Sequence, residues 1–149
     1  MITVYVDRDS VAMGDDVDPH AVAWQFEDAA TPGDVLVRAL AESYLAQVAG
    51  PVAWGFEVGA FTVQHHPAYI AVRPVKTVTA AAVLQPSPGT WQVVPLRAWT
   101  LTAPFLERPE WAVADREYAV RLRYSTEGAV RDRPTFAAWL AGRLHRRAG

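Results

Sequence analysis

The sequence predicts an α+β domain: a mostly antiparallel sheet, a helix after the second strand (about 31–48) and a C-terminal helix (about 134–147). Three observations carry that prediction. Apolar residues alternate with polar residues or alanine in several short runs, the period of a strand with one buried face. A complete helix start stands at Thr31-Pro32-Gly33-Asp34. Strand and helix patterns do not alternate regularly, which argues against a doubly wound parallel sheet.

The elements follow in order. Ile2, Val4 and Val6 alternate with Thr3 and Tyr5 and give a first strand. Val22, Trp24 and Phe26 give a second. Thr31 is the N-cap, Pro32 takes the first helical position and Asp34 supplies a carboxylate, so side chains satisfy backbone N–H groups that the helix leaves open. Val37, Leu40, Ala41, Tyr44 and Val48 share one helical face, and Gly50-Pro51 ends the helix. A hairpin is expected at Trp54–Val63, with Gly59-Ala60 as its two-residue turn. Tyr69–Val75, Thr77–Leu84 and Trp91–Thr102 read as strands. Tyr118, Val120, Leu122 and Tyr124 form the cleanest alternation in the chain. From Pro134, Phe136, Leu140 and Leu144 line a helical face beside Trp139. The Pro- and Gly-containing segment Gln85–Thr90 is the strongest break. It reads as a turn, and a possible subdivision near 85–90, within one domain spanning 1–149.

Composition narrows the function classes. With 149 residues, half of them hydrophobic, the chain can bury a core without covalent staples. It has no cysteine, which excludes disulfides, thiolate metal sites and a cysteine nucleophile. No apolar run is long enough to span a bilayer, and no secretory leader is visible, so a cytoplasmic protein without a membrane partner is expected. The net charge of −2 conceals an asymmetry. Residues 1–34 hold eight acids against Arg8 alone, whereas residues 107–149 hold nine arginines against six acids. The basic end is interleaved with acids, so no nucleic-acid partner is expected. The acidic end attracts cations or basic proteins.

Two resemblances follow from these residues. The order strand, strand, helix, strand over the first 65 or so residues resembles the β-grasp (ubiquitin-like) arrangement. The stretch Val-Tyr-Val-Asp-Arg-Asp-Ser-Val at Val4–Val11 resembles the first motif of haloacid-dehalogenase-like phosphatases. That second resemblance implies Asp7 as nucleophile, Asp9 as general acid and base, Mg²⁺ as cofactor and a lysine to hold the phosphate. Lys76 is the only lysine in the chain. After it, Asp115 and Asp132 are the only aspartates, and neither stands in a Gly-Asp or Asp-Asp context.

Three kinds of site are therefore in view. The first is a docking face for a basic protein partner, built on Asp9, Asp15, Asp16, Asp18, Glu27 and Asp28, with no cofactor and no catalytic residue. An immunity protein or antitoxin that neutralises a basic toxin is the type. The second uses Asp7 and Asp9 with Lys76 in catalysis, or Asp7, Asp9, Asp15 and Asp16 as hard oxygen ligands for Mg²⁺ or Ca²⁺. The third is a small-ligand site on Trp91, Trp99 and Trp111, which flank proline-containing segments. His65 shares strand parity with Phe61 and Val63 and is expected on the core side, with His66 facing solvent.

Overall fold

Ile2, Val4 and Val6 project to one side of the first strand and are buried. What they pack against sets the architecture. The computed structural model describes residues 1–11, 19–46, 52–87 and 90–125. In order these form β1 (Ile2–Arg8), β2 (Val22–Phe26), α1 (Pro32–Ala41), β3 (Val52–His65), β4 (Ile70–Ser87), β5 (Thr90–Pro95), the short α2 (Ala98–Thr102), two 3₁₀ turns (Phe105–Glu107 and Pro109–Trp111) and β6 (Glu117–Ser125). All six strands join one sheet in the order β2-β1-β6-β3-β4-β5.

The expected α+β class is overturned. The protein is mostly β, a curled mixed half-barrel with one substantial helix. The expected C-terminal helix at 134–147 lies outside the described residues. The sheet is mixed because β1 pairs with β6 in parallel, while the other four pairings are antiparallel. Alternation specifies a strand with one buried face but says nothing about its neighbour.

α1 begins as the sequence predicts. Thr31 accepts from the Asp34 N–H at 3.2 Å and the Asp34 carboxylate accepts from the Thr31 N–H at 2.9 Å, a closed capping box. The helix ends at Ala41, short of Val48, and it is rotated from the expected face. Val35, Leu36 and Ala39 are buried against the sheet, whereas Val37 is 69% exposed.

Three other expectations change. There is no hairpin at Gly59-Ala60: β3 runs straight through to His65, and the reversal comes at His66–Tyr69. Tyr69–Val75 and Thr77–Leu84 belong to the single long β4, which takes up two register shifts against β3. The extra residues on β4 are Val75 and Ala80. Such bulges bend a strand and sharpen its twist, and they let β4 curl. Pro74 is tolerated because β5 pairs only with the second half of β4, leaving this stretch on an edge. Finally, the expected strand Trp91–Thr102 stops at Pro95 and gives way to α2.

The main core lies between the sheet and α1. It combines Val4, Val6, Trp54, Phe56, Val58, Val83, Val120 and Leu122 with Val35, Leu36 and Phe105. The opposite face carries a smaller apolar cluster of Tyr5, Phe61, Val72 and Ala119. Along that face runs a polar row, because Asp7 pairs with Arg121 across β1–β6, Arg121 with Glu57 across β6–β3, and Glu57 with Thr79 across β3–β4.

Candidate functional site

That polar row ends in a cleft. The end of β1 and the loop after it supply Asp7, Arg8, Asp9 and Ser10, and His20 comes from the approach to β2. The first half of β4 supplies the far wall, Tyr69 to Pro74, and Arg121 of β6 completes it. The cleft is open to solvent and its volume is about 660 Å³, enough for a small organic molecule. Curling of β4 creates this space, since a flat sheet would leave its first half far from β1.

Asp9 is held firmly. One carboxylate oxygen pairs with the Arg121 guanidinium at 2.5 Å, and the other accepts from the Tyr124 N–H at 3.0 Å. The Asp9 N–H in turn donates to the Leu122 carbonyl at 3.0 Å. This acid ties the loop after β1 to β6.

Asp7 is different. It accepts from the Arg8 N–H at 2.8 Å, and burial pushes its carboxyl above the ordinary aspartate range. That hydrogen bond, Arg121 and His20 pull it back, and Asp9 adds to the rise. The native state therefore holds this proton more tightly than the unfolded chain does. Its contribution to stability is present below the unfolded pKa and is lost as pH rises through the folded one. Asp7→Asn is expected to be more stable than the parent above that window and equal to it below. Urea unfolding at a series of pH values checks this, and parallel pH profiles for the two proteins would contradict it.

Ser10 and His20 form the rim, with the serine Oγ 3.1 Å from the imidazole Nε2. The Tyr44 hydroxyl anchors this rim from α1's trailing turn, lying 2.7 Å from the His20 carbonyl and 3.1 Å from the Val6 carbonyl. Burial raises the Tyr44 phenol well above its ordinary range, and Asp7 adds to the rise. The phenol stays a donor.

The predicted residues are scattered. Asp15, Asp16 and Asp18 lie outside the described residues. Glu27 is exposed. Asp28 bonds to the N-terminal ammonium at 2.6 Å and to Arg116. The ammonium and Arg116 hold its carboxyl down at about 2. Lys76 is exposed on β4 opposite Ala60 and does not line the cleft. Among the described residues no group of three or more His, Asp or Glu side chains is placed to hold a metal ion.

The tryptophans also divide. Trp111 is buried and Trp91 packs against the main core. Trp99, 54% exposed, stacks on Trp111 at 6.4 Å, with the Arg108 guanidinium 4.8 Å from its ring. This is a surface stack over the core. His65, expected on the core side, is exposed and meets Tyr5 edge-on at 5.5 Å. His66 is exposed and stacks on Tyr69 at 4.5 Å.

No protein family, curated sequence or solved structure matches this chain. The site must be read from its own geometry. Sequence reasoning missed Arg121, Arg73, Ser10 and Tyr69. Only the alternation around Arg121 hinted at a side chain on the face opposite the main core, and nothing local linked it to Asp9, 112 positions away.

Among the described residues, no helix is long and apolar enough to cross a membrane.

Proposed function

We propose that this protein is a non-catalytic binding domain of the immunity-protein or antitoxin kind, docking a basic partner through its acidic N-terminal segment. The observation that carries this reading is how the acids of residues 1–34 are used. Asp9 is paired with Arg121, Asp28 with the amino terminus and Arg116, and Asp34 caps α1. Glu27 is exposed. The remaining acidic run, Asp15, Asp16 and Asp18, lies in the sequence between Val11, which is buried, and Pro19 and His20, which line the cleft. Acidic clusters speed encounter with basic partners and repel acidic ones.

The phosphatase reading draws less support. It needs Asp9 to exchange protons while Asp9 serves as the counter-ion of Arg121, and it needs Lys76 near Asp7. The β-grasp resemblance is kept as a proposal about fold. The hairpin β1–β2, the helix after it and the parallel pairing of β1 with the last described strand favour it. A cysteine-free chain suits the cytoplasm.

The test is retention of proteins from extract on the immobilised protein and on a variant with Asp15, Asp16 and Asp18 changed to lysine. The parent is expected to retain a basic protein that high salt releases, and the variant is expected to lose it. A partner retained equally by both, at any salt, would overturn the reading.

A further inference from the structure

The sheet has two edges, and they differ. One is formed by β5 and the first half of β4. It exposes Pro74 and Pro95, which cannot donate to a ladder, and the cations Arg73 and Lys76. Residues of these types guard an edge against a further strand. The other edge is β2. Its five residues, Val22–Phe26, include no charged side chain and no proline, so nothing in their composition guards it.

The ladder shows which groups β2 leaves open. The N–H groups of Thr3 and Asp9 donate to the Arg116 and Leu122 carbonyls. Odd-numbered residues of β1 therefore face β6, and even-numbered ones face β2. Val22, Trp24 and Phe26 stand opposite Val6, Val4 and Ile2 and bond to them, while Ala23 and Gln25 turn their N–H and C=O groups away from the sheet. The Gln25 carbonyl meets the Arg38 guanidinium at 3.3 Å. The Ala23 N–H and carbonyl and the Gln25 N–H find no partner among the described residues, and both residues are exposed. The strand itself is pinned through its other side chains. The Arg38 guanidinium lies 4.5 Å from the Trp24 ring and 5.3 Å from the Phe26 ring, and Tyr44 meets Trp24 edge-on at 5.6 Å. An edge already held in place loses little freedom when another strand joins it.

Charge selects the occupant. In the sequence Asp15, Asp16 and Asp18 precede β2, and Glu27, which is exposed, follows it. A second copy of this chain would bring acid to acid, whereas a segment with basic ends would meet opposite charge. We propose that the basic partner docks by adding an extended segment to the free edge of β2, with lysine or arginine at the ends of that segment. The inference rests on the acidic-docking reading and adds the backbone contact that would give it register.

The probe is a capped peptide, Lys-Lys-Val-Thr-Val-Thr-Val-Lys-Lys, titrated into the full chain and followed by amide NMR. It is expected to bind saturably, to shift the Ala23 and Gln25 amide signals and to slow their hydrogen exchange. Ala23→Pro removes one outward N–H and leaves the bonds to β1 in place. It is expected to weaken the peptide about tenfold, the loss of roughly one hydrogen bond. The same peptide N-methylated through its Val-Thr stretch keeps its charge and side chains, and is expected to bind at least about tenfold more weakly to the parent protein. No saturable binding, equal affinity for the N-methylated peptide, or an affinity that ignores Ala23→Pro would overturn strand addition while leaving retention of a basic protein by the acidic segment untouched. A glutamate-ended peptide bound as tightly as the lysine-ended one would overturn the basic occupant and the acidic-docking reading with it. Self-association in sedimentation that Ala23→Pro abolishes would give the edge to a second copy and overturn the proposal.

Discussion

Asp9→Ala is expected to destabilise the protein by about 2 kcal/mol, while Asp9→Asn costs roughly half as much. Alanine removes two things together: the counter-ion of Arg121 at 2.5 Å and the acceptor of the Tyr124 N–H at 3.0 Å. Truncating one member of a fully buried pair costs about 3–5 kcal/mol. Here both side chains keep about a quarter of their exposure, so solvent screens part of the loss and the lower figure applies. Asparagine keeps an acceptor for Tyr124 and gives up only the charge. Urea unfolding of the three proteins measures both steps. A solvent-facing docking acid would leave the midpoint unmoved in both variants, so an unchanged midpoint would refute this account of Asp9. The same pair fixes one wall of the cleft.

Gly59→Ala is expected to be more damaging, at about 3 kcal/mol or more. Gly59 has φ of +144° in the middle of β3, a conformation that residues with a side chain rarely adopt. A Cβ built there would lie 2.4 Å from the Lys76 carbonyl oxygen and 2.9 Å from the Thr77 Cα. Both atoms belong to the backbone of the neighbouring strand, so relief requires the β3–β4 ladder to part. Gly55 is the internal control. Its Cβ would meet the Thr79 methyl at 3.3 Å, a side-chain contact that a small rotation relieves, so Gly55→Ala is expected to cost much less. Equal unfolding midpoints for the two variants would contradict the account. The clash lies next to the bulge at Val75, where β4 starts to curl over β1. Damage at Gly59 therefore reaches the cleft as well as the core.

Gly59 also shows where sequence reasoning fails. Gly59-Ala60 between alternating apolar residues has the local form of a hairpin turn. It is instead a close approach between two strands within a continuous β3. Local chemistry permits both uses of the glycine, and only the partner strand decides between them. The rotation of α1 has a similar cause. Val37, Leu40, Ala41 and Tyr44 do fall on one helical stripe, but Val35, Leu36 and Ala39 form another that is equally apolar. The neighbouring core residues select the second. Where local geometry alone sets the outcome, the contiguous residues specify it. The capping box at Thr31–Asp34, the strands β1 and β2, and the alternation of β6 all stand where the residues put them.

The candidate site was legible only in part. Asp7 and Asp9 stood out because two acids directly follow an apolar strand. Their separate roles could not be read, because each depends on residues brought in from elsewhere: Arg121 and Tyr124 for Asp9, and burial beneath the cleft for Asp7. The sequence by itself determined the strand faces, the start of the one substantial helix, the lack of thiol chemistry and the concentration of acid before residue 35. Only the tertiary structure decided that the first and last described strands run parallel side by side, that β4 curls far enough to wall a cleft, and that Arg121 of β6 meets Asp9 after β1 there. The physical reason is range. Periodicity and capping act over a few residues of contiguous chain, whereas strand pairing and charge pairing depend on neighbours more than a hundred positions away.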